Sequence, residues 1–211
     1  MRVVIQRVSG ASVAVHGETM SQIGRGLVCL VGVHEDDRRE HAEWLCRQIV
    51  SAKLFEGRGE ANADKRWRSS VKQNGLEILL VSQARKGRRG FLFLCFTLSG
   101  RVCSKGKVDF TGSMPPAEAK EFYDGFVGMV RAAHAAPALV KDGVFGAKMD
   151  VSLVNDGPIT VIVDSSEMPT KTPLGLGESR ELVNNGASSS SGGGRDRESA
   201  EGVPGLPPTP P

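Results

Sequence analysis

The chain has 211 residues, 39% of them hydrophobic and 5% aromatic, with a formal net charge of +3. That supplies one domain core built from Val, Leu, Ile and Ala, with room for a tail. The mildly basic balance permits a polyanionic partner without requiring one. No apolar run approaches the ~20 residues that span a bilayer, and the first residues lack the apolar stretch of a signal peptide. The cysteines, Cys29, Cys46, Cys95 and Cys103, form neither a CxxC pair nor a zinc-finger spacing. The expectation is a soluble, cytoplasmic protein with reduced thiols, no metal site and no membrane association.

Residues 2–8 and 11–16 alternate apolar and polar side chains, which predicts two short strands separated by Ser9-Gly10. Gly24-Arg25-Gly26 predicts a turn before 27–33, an apolar strand buried on both faces. Asp36 and Asp37 offer N-cap chemistry for a helix to about Ala52, with His41, Leu45, Ile49 and Ala52 at helical spacing. Residues 56–74, rich in Gly, Asn and charge, predict a long loop, and 76–82 another apolar strand. Pro115-Pro116 opens a second helix, whose apolar stripe reads Ala119, Phe122, Phe126, Met129 and Ala133. Strands follow at 140–146, 148–154 and 159–164. Connections look too short for repeated βαβ units. The expected fold is mixed α/β: a curved, partly closed sheet with two main helices packed outside it. The composition changes near Ser165, and residues 169–211, rich in Pro, Gly and Ser, read as a disordered tail after a domain at 1–168.

Two apolar strands flank Asn155-Asp156-Gly157-Pro158, a turn sequence by the chemistry of each residue. The plain expectation is a surface hairpin loop. A Gly-Pro bond is also one that adopts the cis form at low cost, which would turn two successive carbonyl oxygens to one side. No histidine, among His16, His34, His41 and His134, has a nucleophile-elbow context.

Several motifs occur together in one order. They are Met1-Arg-Val-Val-Ile-Gln-Arg-Val8 with Ala11 and Val13, Val81-Ser82-Gln83, Phe96-Thr97-Leu98, Lys105-Gly106 through Phe110, Phe145-Gly-Ala-Lys-Met149, and Asn155-Asp-Gly-Pro-Ile-Thr160. In this the sequence resembles the D-aminoacyl-tRNA deacylases over roughly residues 1–165. The resemblance implies an ester hydrolase of translation quality control, acting on the 3′ end of D-aminoacyl-tRNA without a cofactor. It implies a homodimer with the active site at the subunit interface. Gly157 and Pro158, joined by a cis bond and oriented with help from Arg7, would exclude an L side chain by their carbonyls. Glycyl-tRNA, including glycine mischarged on tRNA(Ala), would escape that exclusion. Phe145, Ala147 and Met149 would hold the terminal adenine. Ser82, Gln83, Phe96 and Thr97 would form the catalytic segment, with the ribose 2′-hydroxyl helping to activate water and backbone amides stabilising the oxyanion.

The sequence departs from the family in one place: residues 84–95 interrupt the central Ser-Gln-Phe-Thr-Leu motif. Either 79–83 remains the strand and the insert loops out, or 92–96 replaces it, or the two form a hairpin tipped by 85–90. The insert carries Arg85, Lys86, Arg88 and Arg89, which suit either phosphate contacts or a solvated tip. The alternative function is a non-catalytic tRNA-binding module whose site the insert has spoiled.

Overall fold

A computed structural model describes residues 1–57, 65–83, 85–86, 92–93, 98, 101–109 and 114–169. Phe96, Thr97 and the expected disordered tail beyond residue 169 lie outside the described residues. In chain order the elements are β1 (Arg2–Val15), β2 (Glu18–Ile23), β3 (Gly26–Gly32), α1 (Arg39–Ser51), α2 (Val71–Asn74), β4 (Glu77–Ser82), β5 (Arg85–Lys86), β6 (Leu92–Phe93), β7 (Arg101–Val102), β8 (Val108–Asp109), α3 (Pro116–Ala133), β9 (Val140–Asp142) and β10 (Asp150–Asp164).

The main sheet runs β10-β1-β3-β4-β9, with β2 paired to β1. β1 is one long strand and not two. Its N-terminal part pairs with β3, its C-terminal part with β2, and β10 lies along its other side. The Ser9-Gly10 signal marks a change of phase. Val3 and Ile5 enter the core under the helices, whereas Val8, Ala11 and Val13 enter a second core with Ile23, Val28, Leu79 and Val81. A strand presents alternate residues to opposite faces, so the shift around Val8 lets one strand serve two cores. Between β2 and β9, Ser21 Oγ donates to the Asp142 carbonyl and Lys141 Nζ to the Gln22 carbonyl, each at 2.6 Å. These bonds bring the sheet to a nearly closed barrel, as expected.

Two further sequence expectations need correction here. β3–β4 and β4–β9 are parallel pairs, so two crossovers exist where the connections looked too short. Parallel neighbours need such a connection, and α1 and α3 lie within these two. The second correction concerns the start of α1, whose N-cap is Arg38. Asp37 is instead buried, accepting the His34 N–H at 2.6 Å and pairing with the amino group of Met1.

The helices cover one face of the sheet. From α1, Leu45 and Ile49 are fully buried; from α3, Ala119, Tyr123, Phe126 and Val130 are. The buried stripe of α3 thus centres on Tyr123, with Phe122 and Met129 at its margin. Each large aliphatic or aromatic side chain removed from water contributes about 1.5–3 kcal/mol. At the start of β3 the backbone comes so close to β4 that a Cβ on Gly26 would lie 1.9 Å from the Glu77 carbonyl oxygen. β4 keeps 77–82 in the sheet, while Arg85 and Lys86 pair with Phe93 and Leu92. The strand before the insert thus occupies the sheet, and Arg85-Lys86 and Leu92-Phe93 of the insert form an antiparallel ladder of their own.

Candidate active site

β10 is continuous, so Asn155-Asp156-Gly157-Pro158 is not a hairpin loop. Arg7 of β1 faces Ile159 and Val8 faces Asn155, leaving Asp156, Gly157 and Pro158 unmatched as a bulge in the ladder. Turn-forming residues favour a bulge for the same reason they favour a turn: they tolerate backbone that leaves the strand. Gly157 has φ +122°, a conformation that side chains oppose, and a Cβ there would meet Ile159 Cγ1 at 2.8 Å. The Gly157–Pro158 bond is cis, and both residues are exposed in the single chain.

Arg7 continues the inward alternation of Met1, Val3 and Ile5 and is only 9% exposed. A buried guanidinium must have its donors satisfied. Nη1 donates to the Leu54 carbonyl at 2.8 Å and to Glu56 Oε1 at 3.3 Å. Nη2 donates to Asp156 Oδ1 at 3.1 Å, and Nε to the Asp156 carbonyl at 3.3 Å. Arg7 therefore grips the residue just before Gly157 by both backbone and side chain.

A second arginine completes the arrangement. Arg25 Nη2 lies 2.6 Å from Glu56 Oε2, and its Nε 3.8 Å from Asp156 Oδ2. Both guanidinium groups sit over the Phe55 ring, 5.8 Å and 5.7 Å from its centroid. Arg7, Glu56, Arg25 and Asp156 thus alternate in sign above one aromatic ring. The Glu56 carboxyl is held below its usual range by the Glu56 backbone N–H first and then by Arg25 and Arg7, against the opposing effect of burial. Phe55, Glu56 and Arg25 carried no signal in the sequence, since their pairing is long-range and their segments read as loop and turn.

The other candidate residues gather elsewhere. Ser82 ends β4 opposite Val31, and the Gln83 N–H donates to the Val31 carbonyl at 3.1 Å. The Ser82 hydroxyl is buried and has no hydrogen-bond partner among the described residues. Beside it, past the C-terminal end of β9, the Gly143 N–H donates to the Leu80 carbonyl at 2.9 Å. That bond leads the chain into the turn carrying Phe145, Ala147 and Met149. The Phe145 ring lies 5.6 Å from that of Tyr123, and the Ala147 N–H donates to the Val144 carbonyl at 3.2 Å. Met149 packs on the second core, its sulfur 2.7 Å from where a Gly143 Cβ would stand. Ser82, Gln83 and the Phe145–Met149 turn therefore share the carboxyl ends of two parallel strands, where α/β sheets commonly form ligand crevices.

The two groups are separate within one chain. Ser82 is level with Val31 and Val3, whereas Arg7 lies four residues further along β1. With about 3.4 Å per residue and 4.8 Å between strands, the offset is roughly 17 Å. Among the described residues no cluster of three or more His, Cys, Asp or Glu is placed to share a metal ion.

The family model for D-Tyr-tRNA(Tyr) deacylase matches residues 4–164. The chain belongs to the D-Tyr-tRNA(Tyr) deacylase family. A D-aminoacyl-tRNA deacylase of Dictyostelium discoideum is 40% identical over 79% of this chain and 99% of its own length. One of Drosophila melanogaster is 42% identical over 79% and 94%, and D-aminoacyl-tRNA deacylase 1 of Homo sapiens 38% over 82% and 74%. Among solved structures, a c-Myc DNA unwinding element binding protein shares 39% identity at a TM-score of 0.66, covering 78% of this chain and 98% of its own. A structure titled as a probable eukaryotic D-amino acid tRNA deacylase, at 19% identity and TM-score 0.61, covers 77% and 97% and shares the deacylase fold. The family match spans both groups of candidate residues, the bulge and the β4–β9 end.

Proposed function

We propose that this deacylase-family member is a hydrolase that cleaves the ester between a D-amino acid and the 3′ end of tRNA, releasing free amino acid and tRNA. Water adds to the ester carbonyl carbon, the bond to the ribose oxygen breaks, and that oxygen leaves with a proton. The ribose 2′-hydroxyl assists the water, and backbone amides around Ser82 and the Phe96-Thr97 segment stabilise the oxyanion, the Gln83 N–H being held by the Val31 carbonyl. Phe145, Ala147 and Met149 receive the terminal adenine, whose face suits aromatic stacking. The carbonyls of Gly157 and Pro158 stand where an L side chain would collide and a D side chain would not. Glycine, including glycine mischarged on tRNA(Ala), has no side chain to exclude.

The observation that carries this reading is the grip of Arg7 on Asp156, next to the exposed residues Gly157 and Pro158 and far from Ser82 of the same chain. Such a pair suits the site of a second copy, so the reading includes a homodimer. Its support is β10, an edge strand, on which Val154 and Ile162 are exposed by 64% and 63%. Exposed apolar edges of this kind favour pairing with another chain. We place the reaction in the cytoplasm, with tRNA as the partner. D-tyrosyl-tRNA and L-tyrosyl-tRNA assayed side by side test the reading. Hydrolysis of D alone is expected, hydrolysis of both would remove chiral exclusion, and hydrolysis of neither would leave a tRNA-binding module without turnover.

A further inference from the structure

Beyond the pocket for the terminal adenosine, the chain carries a second feature suited to RNA. Lys65-Arg66-Trp67-Arg68 is exposed throughout. Trp67 stands 51% exposed and adopts φ +60°, a conformation uncommon outside glycine and one that costs of order 1–3 kcal/mol. A large aromatic held in the open on such backbone contributes little to a core. Lys65, Arg66 and Arg68 form no ion pair with any described residue, while Arg7 and Arg25 nearby are paired twice over.

The segment is anchored to the site. Arg68 and Ser69 donate their N–H groups to the Phe55 carbonyl at 3.0 and 3.2 Å, Phe55 returns its N–H to Ser69 at 3.1 Å, and the Gly57 N–H donates to Lys65 at 3.0 Å. Ser69 Oγ is further tied to the Glu56 carbonyl and receives Asn74 Nδ2 at 2.7 Å. Phe55 is the ring beneath Arg7 and Arg25, and Arg7 holds Asp156. Trp67 is two residues from Ser69, so at most about 7 Å of backbone separates it from that anchor.

We propose that Lys65, Arg66, Trp67 and Arg68 form a binding surface for the single-stranded RNA leading to the aminoacylated nucleotide, Trp67 stacking on an unpaired base and the three cations meeting its phosphates. This rests on the aminoacyl-tRNA reading above. Exposed aromatics interleaved with cations are the recurrent solution for unpaired nucleic acid, because every base has a stackable face and every nucleotide a charge. An acidic peptide would use the cations and leave the indole idle, so RNA is the partner that uses all four residues.

The experiment compares the full-length protein with Trp67→Ala, Trp67→Phe and a Lys65→Gln/Arg66→Gln/Arg68→Gln variant. Two substrates are used, full-length D-tyrosyl-tRNA and D-tyrosyl-adenosine, which has no preceding nucleotides; affinity for uncharged tRNA is measured across a salt series. Trp67→Ala is expected to weaken tRNA binding about 5- to 150-fold, and Trp67→Phe to restore most of it. The triple variant should flatten the slope of log affinity against log salt by about 2, near 0.7 for each lost phosphate contact. Both should raise KM for the full tRNA and leave D-tyrosyl-adenosine turnover at the wild-type rate. Equal losses on both substrates would mean a structural role and overturn the proposal, as would an unchanged salt slope or a Trp67→Ala variant with wild-type affinity. Should wild type hydrolyse neither substrate, the deacylase reading fails, and the tRNA affinities still decide this one.

Discussion

Replacing Arg7 by alanine separates the clamp from ordinary surface charge. Its removal leaves the carbonyl of buried Leu54 without the 2.8 Å donor that satisfies it, a cost of about 1–3 kcal/mol. The pairs with Glu56 and Asp156 are partly solvated and add about 1 kcal/mol together after screening. The expected loss is thus about 2–4 kcal/mol, a roughly 30- to 700-fold change in the unfolding equilibrium. Arg25→Ala, whose side chain is 49% exposed, should cost no more than about 1 kcal/mol. Arg7→Lys restores charge but not the planar fork that reaches Leu54 and Asp156 together, so it should recover less than half. Urea unfolding gives the stabilities, and under the proposed chiral exclusion the ratio of D- to L-tyrosyl-tRNA hydrolysis reports on the placement of Gly157-Pro158. That ratio should fall for Arg7→Ala. An Arg7→Ala protein within 0.5 kcal/mol of wild type and with an unaltered ratio would refute the clamp.

Gly26→Ala should destabilise by about 3 kcal/mol or more, because its Cβ would lie 1.9 Å from the Glu77 carbonyl oxygen; Gly125→Ala, on an open face of α3, should be neutral or slightly stabilising in the same thermal melt. Glu77 and Asp164 are each depressed: burial, the largest influence, acts upward, but the Gly24 N–H with Lys141, and the Ser166 N–H with Arg2, outweigh it. Their stabilisation is present above the unfolded value near 4 and is lost as pH falls through the lower folded value. The stability gap between wild type and Glu77→Gln should therefore close in melts taken from pH 7 down to pH 3, and a constant gap would contradict the assignment. Burial pushes the Cys29 thiol up to about 12, whereas Cys103 is exposed. Iodoacetamide at pH 8 should label Cys103 in the native protein and Cys29 only after unfolding, as read by peptide mass.

Much of the fold was legible because it is written in local period. The apolar run at β3, the stripe on α1 and the proline start of α3 each name their element without help from the rest of the chain. The errors arose where distant contacts decide. Ser9-Gly10 and Asn155–Pro158 both read as breaks, yet each strand runs through its irregularity because the other supplies the ladder on both sides. Asp37 looked like a helix cap and serves the amino group of Met1, a partner 36 residues away. At the candidate site, motif order singled out Arg7, Ser82, Phe145 and Gly157 as candidates. Glu56 and Arg25 stayed hidden, since a charged residue in a loop has no periodicity to betray its partner.

The outer border of β10 has a consequence for how this sequence can change. Within one chain, Val154 and Ile162 contribute almost nothing to the interior, so lysine at either position should leave the melting temperature of a lone subunit untouched. In the proposed dimer, drift at those two positions would weaken assembly before it unfolded a molecule, and a chain released from it, with its longest strand unprotected, would be the form most prone to stick to its own kind.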